Sequence, residues 1–189
     1  MSDQVAAPAE YGFGNRYNWL VGGAVGGGAG SAIFGAALWA VNPTIVTESI
    51  PALYGVDPGA VGWLFHAVHG LVLGVIFGFL VSRRPILGTI TADVETDFIA
   101  RMGPGTRLAL AGMVYGLAVW AVLPIIGQTI WIAIGGLEAP PFPGAAVESL
   151  LGHLLYGLLL GVLFALLVDI APTAEDTAAP FEEASEPPT

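Results

Sequence analysis

The chain has 189 residues, of which 55% are hydrophobic and only 11% are charged. Soluble domains carry about 25% charged residues, so this chain has too little charge to cover the surface of a soluble globule, and a lipid bilayer is the expected surrounding. The net charge of −10, without a single lysine, excludes nucleic-acid binding, which needs clustered basic side chains. The absence of cysteine excludes disulfides and thiolate chemistry.

Four apolar segments follow one another along the chain, at residues 19–41, 61–82, 108–134 and 145–168. Each is long enough to cross a bilayer, which takes about 20 helical residues. The sequence therefore predicts an all-α membrane protein with four transmembrane helices. They divide the chain into a polar N-terminal segment (1–18), a first hairpin (19–82), a loop (83–106), a second hairpin (107–169) and an acidic tail (170–189). The tail is predicted to be disordered because it holds too few apolar residues to fold.

The basic residues all fall on one side of such a four-span arrangement: Arg16, Arg83, Arg84, Arg101 and Arg107. The two connectors on the opposite side carry acidic charge only. Since cytoplasmic loops are enriched in basic residues, we predict that both termini and the loop 83–106 are cytoplasmic, and that the protein is a multi-pass protein of the cell membrane.

Within the loop 83–106, the pattern predicts a short amphipathic helix on the membrane surface. Thr91 can cap it, and Ile90, Val94 and Phe98 fall on one face. Gly103-Pro104-Gly105 would end it.

The two hairpins resemble each other in sequence. Residues 65–81 (FHAVHGLVLGVIFGFLV) align without a gap to residues 152–168 (GHLLYGLLLGVLFALLV), which pairs His66 with His153. The first and third spans also align, pairing Trp39 with Trp120. We interpret the chain as two tandem, parallel-repeat helical hairpins, related by a pseudo-twofold axis along the membrane normal.

The aligned connector segments 44–55 and 125–136 follow Pro43 and Pro124, respectively. They are predicted either as helix extensions bent at these prolines or as short helices at the membrane interface.

Glycines recur every four residues on the spans and predict faces of close helix packing, because small residues let helix backbones approach in lipid. The predicted packing glycines are Gly22, Gly26, Gly30, Gly70, Gly74, Gly78, Gly157 and Gly161. The alternative is that one stripe, on the first span, forms an interface with a second copy or another protein.

Candidate chemistry centres on His66, His69 and His153, since ionisable groups within a membrane are functional candidates by default. Two histidines on facing helices can ligate the iron of a haem b, or hold a metal together with Glu148. The alternatives are a polar contact between helices and a proton-linked role. No catalytic residue and no dedicated metal site are predicted.

The Trp-x-x-His motif at residues 63–66, followed by Gly70 and the Gly-x-x-x-Gly run, resembles a known group of proteins. It is similar to the small four-span membrane proteins of unknown function that include the YagU-like family. The acidic, lysine-free composition is typical of a haloarchaeal member. The resemblance covers residues 19–169 and implies a four-span topology without an established activity, so it assigns no site residue.

These observations favour a non-enzymatic integral membrane protein that is a structural or accessory subunit of a homo-oligomer or a larger membrane complex. One alternative is an electron-transfer subunit that binds haem b or a metal through His66 and His153. The other is a small dimeric transporter or channel, since transporters often use tandem repeats.

Overall fold

A computed structural model describes residues 17–83, 86–87, 90, 102–136 and 146–168. These residues form helices and connecting turns, without a strand among them. Four helices are long and apolar enough to cross a membrane, at Asn18–Val41, Val61–Val81, Pro104–Gly135 and Val147–Leu167. The predicted all-helical class with four candidate spans is confirmed. The polar segment 1–16, the amphipathic helix after Thr91 and the acidic tail lie outside the described residues.

The elements are numbered in chain order. They are α1 (Asn18–Val41), a π-helical turn (Ile45–Ser49), α2 (Ile50–Ala52), α3 (Val61–Val81), α4 (Pro104–Trp120), a π-helical segment (Ala121–Gly127), α5 (Gln128–Gly135) and α6 (Val147–Leu167). We call the end of the bundle where α1 ends and α3 begins the connector end. The other end, which holds Arg83 and Arg107, is the arginine end.

Helices α1 and α3 pack backbone against backbone in an antiparallel hairpin. A Cβ atom on Gly27 would overlap the carbonyl oxygen of Gly70 and lie 2.7 Å from the Cα atom of Gly74. Gly78 approaches the backbone of Trp19 in the same way. Only glycine lets the two backbones come this close, because a side chain would overlap the facing helix. This explains why both helices carry glycine every fourth residue.

Helices α4 and α6 form a second antiparallel hairpin with the same kind of contact. A Cβ atom on Gly112 would overlap the carbonyl oxygen of Gly157, and one on Gly161 would overlap that of Leu108. Nearer the connector end, Gly116 lies against the backbone of His153. Glycine therefore holds each hairpin together along most of its length.

The two hairpins join through α1 and α6. Gly22, Gly26 and Gly30 face α6, where bulky side chains such as Phe164 and Leu160 fill the space beside them. Both of these side chains are fully buried. Helix α1 therefore packs one row of glycines against α3 and the row Gly22, Gly26 and Gly30 against α6. This second row is the one considered for an interface with another chain, and it lies inside the bundle.

The fourth side of the bundle, between α3 and α4, is packed differently. The Tyr115 hydroxyl of α4 donates to the carbonyl oxygen of Leu73 at 2.8 Å, and its ring lies 5.4 Å from that of Phe77. None of the close glycine contacts described above lies between these two helices. Nearer the connector end, a cavity lies between the two hairpins.

The first connector leaves its helix at Asn42, before Pro43. Asn42 is extended, and its side-chain oxygen accepts hydrogen bonds from the backbone N–H and the hydroxyl of Thr44, at 3.1 and 2.8 Å. This local alternative to helical hydrogen bonding ends α1. The chain then folds back, so that Val46 is buried and its carbonyl oxygen lies against Gly62 of α3.

The second connector instead continues the helix past its proline. Pro124 has no N–H to donate and lies within the π-helical segment, and α5 continues to Gly135. Gly136 ends it with a left-handed φ of 61°. None of the residues from Ala121 to Gly135 is buried. The two connectors, aligned in sequence, therefore take the two predicted forms: residues 43–52 of the first form a separate short helix after the break at Asn42, and the second is a helix extension.

Candidate functional site

A cavity of about 700 Å³ lies between the two hairpins in the connector half of the bundle. Apolar side chains from several elements form its walls, among them Phe34 and Leu38 of α1, Val72 and Ile76 of α3, and Leu123 of the π-helical segment. This volume lies within the range of about 300–1,000 Å³ that is typical of small-molecule sites.

Polar side chains gather in the same cavity, although it lies among membrane-spanning helices. They include all three histidines of the chain, and the full set is Ser31, Ser49, Tyr54, His66, His69, Gln128, Ser149, His153 and Tyr156. In the described part of the chain, no charged side chain lines the cavity. The lining is therefore amphipathic but neutral in composition.

His66 is held by the neighbouring helix. Its Nε2 atom lies 2.9 Å from the carbonyl oxygen of Ser31 on α1, and the side chain is only 8% exposed. A carbonyl oxygen can only accept, so Nε2 is the donor. In a neutral imidazole the other nitrogen, Nδ1, is then an acceptor.

His153 is held in the opposite orientation. Its Nδ1 atom lies 2.7 Å from the carbonyl oxygen of Ser149, one turn earlier in α6. By the same reasoning Nδ1 donates, and Nε2 of the neutral ring is the acceptor. The two histidines paired by the sequence alignment thus line one cavity, and each ring keeps one nitrogen as a hydrogen-bond acceptor.

The ring of Phe34 contacts both imidazoles. Its centroid lies 5.2 Å from that of His66 and 5.1 Å from that of His153, in edge-to-face geometry in both cases. Phe34 is 5% exposed and packs on Gly152 of α6. The structure therefore brings His66 and His153 to a shared aromatic ring, which occupies space that a haem ligated by both would need.

Glu148, considered as a third metal ligand, is exposed at the start of α6. Within the described ranges, no group of three or more His, Cys, Asp or Glu side chains is placed to hold a metal ion.

His69 pairs with Tyr54 from the first connector. The Tyr54 hydroxyl and His69 Nε2 are hydrogen-bonded, and the Tyr54 ring stacks on Phe65 at 4.4 Å. Burial raises the pKa of the Tyr54 phenol, so it stays a neutral hydroxyl to a higher pH than in water. Tyr54 lies outside the predicted spans and belongs to no motif, so the sequence does not mark it as a site residue.

Ser49, from the same connector, also lines the cavity. Its side chain is 6% exposed, and its buried hydroxyl finds no hydrogen-bond partner among the described residues. An unpaired buried hydroxyl costs about 1–3 kcal/mol. A bound molecule with a polar group near Ser49 would remove that cost.

Exposed side chains line the cavity in two places. Val72, Ile76 and Leu123 are 42–47% exposed on the side between α3 and the π-helical segment, and Tyr54 and Trp131 are 43% and 56% exposed at the connector end. The first of these two places is the sideways opening. The contact of Tyr115 with Leu73 closes it towards the arginine end. At the connector end, Trp131 Nε1 donates to the carbonyl oxygen of Leu53 at 2.6 Å. If the four helices span a bilayer, this opening faces lipid.

The comparisons with known proteins point to one family. Residues 97–175 match a family of unknown function, DUF6789. The match covers α4 to α6, including the part of the cavity formed by Gln128, Ser149, His153 and Tyr156, and it does not include α1 or α3. No curated protein and no solved structure matches the chain. The similarity to YagU-like proteins and the haloarchaeal origin stay predictions.

Proposed function

We propose that the protein is a non-enzymatic, multi-pass protein of the cell membrane that binds a small amphipathic molecule in the cavity between its hairpins. The observation that carries this proposal is the cavity itself. It combines apolar walls, a polar cluster at the connector end and an opening towards the bilayer. A molecule from the membrane would place its apolar part against the walls and its polar part among the histidines and serines.

The packing of the rest of the bundle supports a binding role. Three of the four pairs of neighbouring helices are in close contact. Glycines bring the backbones together in the pairs α1–α3 and α4–α6, and large side chains fill the space between α1 and α6. A bundle that served stability alone would gain by closing the fourth side as well, because voids forfeit packing contacts. Polar side chains are also costly within a membrane, and here nine of them line this cavity.

The alternative functions receive less support. A haem bound by His66 and His153 would have to displace Phe34. For a transporter, the described cavity lining supplies no carboxylate, lysine or arginine, so its three histidines are the groups left to couple a proton. Association with a second copy or with a larger complex stays a prediction, and the glycine row that motivated it faces α6 instead.

We also propose that the arginine end is cytoplasmic. The contacts of α1 with α3 and of α4 with α6 place Arg83 and Arg107 at the same end, which is what the positive-inside rule requires. The repeat is supported by contacts at aligned positions, since Gly74 packs on the backbone of Gly27 in the first hairpin as Gly161 packs on that of Leu108 in the second.

The orientation is tested by cysteine labelling, for which the cysteine-free chain is a ready background. In intact cells, a membrane-impermeant maleimide should label Glu48→Cys, and should label Thr91→Cys only after the membrane is opened. Labelling of both positions in intact cells would contradict the four-span orientation.

The binding proposal is tested by native mass spectrometry of the full chain, extracted from its own membranes in mild detergent. We expect a protein peak with one bound small molecule, which organic extraction releases for identification. The control is the same protein after exhaustive detergent exchange, which should lose the adduct and regain it from a total lipid extract. A protein that carries no adduct and takes up none from the extract would contradict a binding function.

A further inference from the structure

We infer that the cavity selects a neutral lipid alcohol, whose head-group hydroxyl donates a hydrogen bond to one of the two histidine acceptors. This inference rests on the proposed binding function and assigns the chemical class of its ligand. It follows from the directions of the hydrogen bonds in the polar cluster and from the lack of charge around it.

The hydrogen bonds of the two histidines fix what they can offer a ligand. His66 gives its N–H to Ser31 and His153 gives its N–H to Ser149, both through backbone carbonyl oxygens. The second nitrogen of each neutral ring can then only accept. A ligand therefore gains these two sites only if it brings a donor, and a hydroxyl group is the smallest neutral donor.

Both tyrosine hydroxyls of the cavity have partners within the protein. The Tyr156 hydroxyl donates to the carbonyl oxygen of Gly70 at 2.7 Å, and the Tyr54 hydroxyl shares a hydrogen bond with His69 Nε2, whose direction depends on which nitrogen of His69 carries the proton. A head group that only accepts, such as a ketone, an ether or an ester, would leave both imidazole acceptors unpaired. The side-chain amide of Gln128 can both donate and accept, so it does not favour one kind of head group over another.

Ser49 completes the pairing for an alcohol. Its hydroxyl is buried and lacks a partner within the described ranges. A ligand hydroxyl both donates and accepts, so it can donate to an imidazole and accept from Ser49. The described lining holds no cation to pair with a phosphate and no carboxylate to pair with an amine, and a desolvated charge without a partner is strongly disfavoured. Phospholipids are thereby disfavoured.

Access from the bilayer lies between α3 and the π-helical segment, bounded by the Tyr115–Leu73 contact on one side and the Trp131–Leu53 contact on the other. An alkyl or isoprenoid tail can pass out between Val72 and Leu123 while the head group stays at the histidines.

The test uses the full chain, freed of bound lipid by detergent exchange, and two probes that differ only in the head group. Geranylgeraniol carries the hydroxyl, and its methyl ether lacks the donor. We expect the alcohol to bind about tenfold more tightly, the scale of a buried hydrogen bond, as measured by titration with native mass spectrometry. Equal binding of the two probes would overturn the alcohol inference and leave the binding function standing. Uptake of neither probe, by a protein that also takes up nothing from a lipid extract, would overturn both.

Two substitutions remove the acceptor nitrogens and keep the hydrogen bonds to the backbone carbonyl oxygens. Gln places an amide N–H near the position of Nε2, so His66→Gln keeps the bond to Ser31 and loses Nδ1. Asn places its N–H near the position of Nδ1, so His153→Asn keeps the bond to Ser149 and loses Nε2. In the variant that removes the acceptor used by the ligand hydroxyl, the ratio of the alcohol affinity to the ether affinity should fall from about tenfold towards one.

A variant outside the cavity serves as the control. Gly28 does not line the cavity and has open space beside it, so Gly28→Ala should keep the preference for the alcohol. If His66→Gln and His153→Asn both bind the alcohol as tightly as the unmodified protein, the assignment of the imidazoles as head-group acceptors is wrong.

Discussion

Gly27 and Gly28 are neighbours on α1 with opposite surroundings. A Cβ atom on Gly27 would overlap the backbone of α3, whereas one on Gly28 would meet nothing within 4 Å outside its own helix turn. Helix backbones in contact cannot yield by rotating a side chain. The requirement for glycine is therefore set by the partner helix and differs completely between adjacent positions.

This contrast gives a prediction with a built-in control. Gly27→Ala should lower the free energy of unfolding by about 1–3 kcal/mol, the usual cost of overpacking. Gly28→Ala should be neutral or raise it by up to about 1 kcal/mol, because alanine loses less backbone freedom in a helix. Reversible unfolding of the two variants in mixed detergent measures both. A loss at Gly28 as large as that at Gly27 would contradict the described packing of α1 against α3.

At the same scale, the histidines could be found from the sequence, but their surroundings could not. An ionisable residue in an apolar span is visible in the sequence, and the alignment paired His66 with His153. The ring of Phe34 between them depends on how α1 crosses α3 and α6, and apolar periodicity does not encode that. Ser49 and Tyr54 belong to a connector whose fold is set by a turn at Asn42, so spacing alone could not bring them to the cavity.

Helix α3 is tied to the second hairpin by two tyrosine hydroxyls. Tyr115 of α4 donates to Leu73, and Tyr156 of α6 donates to Gly70, at 2.8 and 2.7 Å. Both acceptors are backbone carbonyl oxygens of α3, one turn apart. These bonds hold the hairpins at the spacing that leaves the cavity between them.

We expect Tyr115→Phe and Tyr156→Phe each to lower the free energy of unfolding by about 1 kcal/mol, the scale of hydrogen bonds between membrane helices. The double variant should lose close to the sum if the bonds act independently. The unfolding assay used for the glycine variants applies. If neither variant changes the unfolding free energy, these bonds do not hold the hairpins together.

At the scale of elements, hydropathy predicted the spans well and the connectors poorly. The four spans follow from long charge-free stretches, which few structures other than membrane helices can use. The helix ends before Pro43 but continues past Pro124. Before Pro43, the side chain of Asn42 offers the backbone an alternative to helical hydrogen bonds. Around Pro124, π-helical hydrogen bonding accommodates the proline. The sequence alignment treats these segments as equivalent and so predicts the wrong symmetry for them.

For the whole molecule, the glycine contacts close three sides of the bundle and leave the fourth to a cavity with neutral polar groups. Composition predicted a membrane protein, and the repeat predicted two hairpins. Neither indicated the cavity between the hairpins, because its formation depends on the bulk and direction of side chains such as Phe34 and Tyr115. The proposed binding function follows from that cavity.

The central claim is that this cavity holds a molecule from the bilayer, and two neighbouring residues of α3 test it most directly. Leu71 and Val72 are 46% and 47% exposed, but Val72 lines the cavity and Leu71 does not. A tryptophan at Val72 would fill the opening, and one at Leu71 would point away from it. In native mass spectrometry, we predict that Val72→Trp loses most of the bound small molecule and that Leu71→Trp keeps it. Equal occupancy in the two variants would contradict the account.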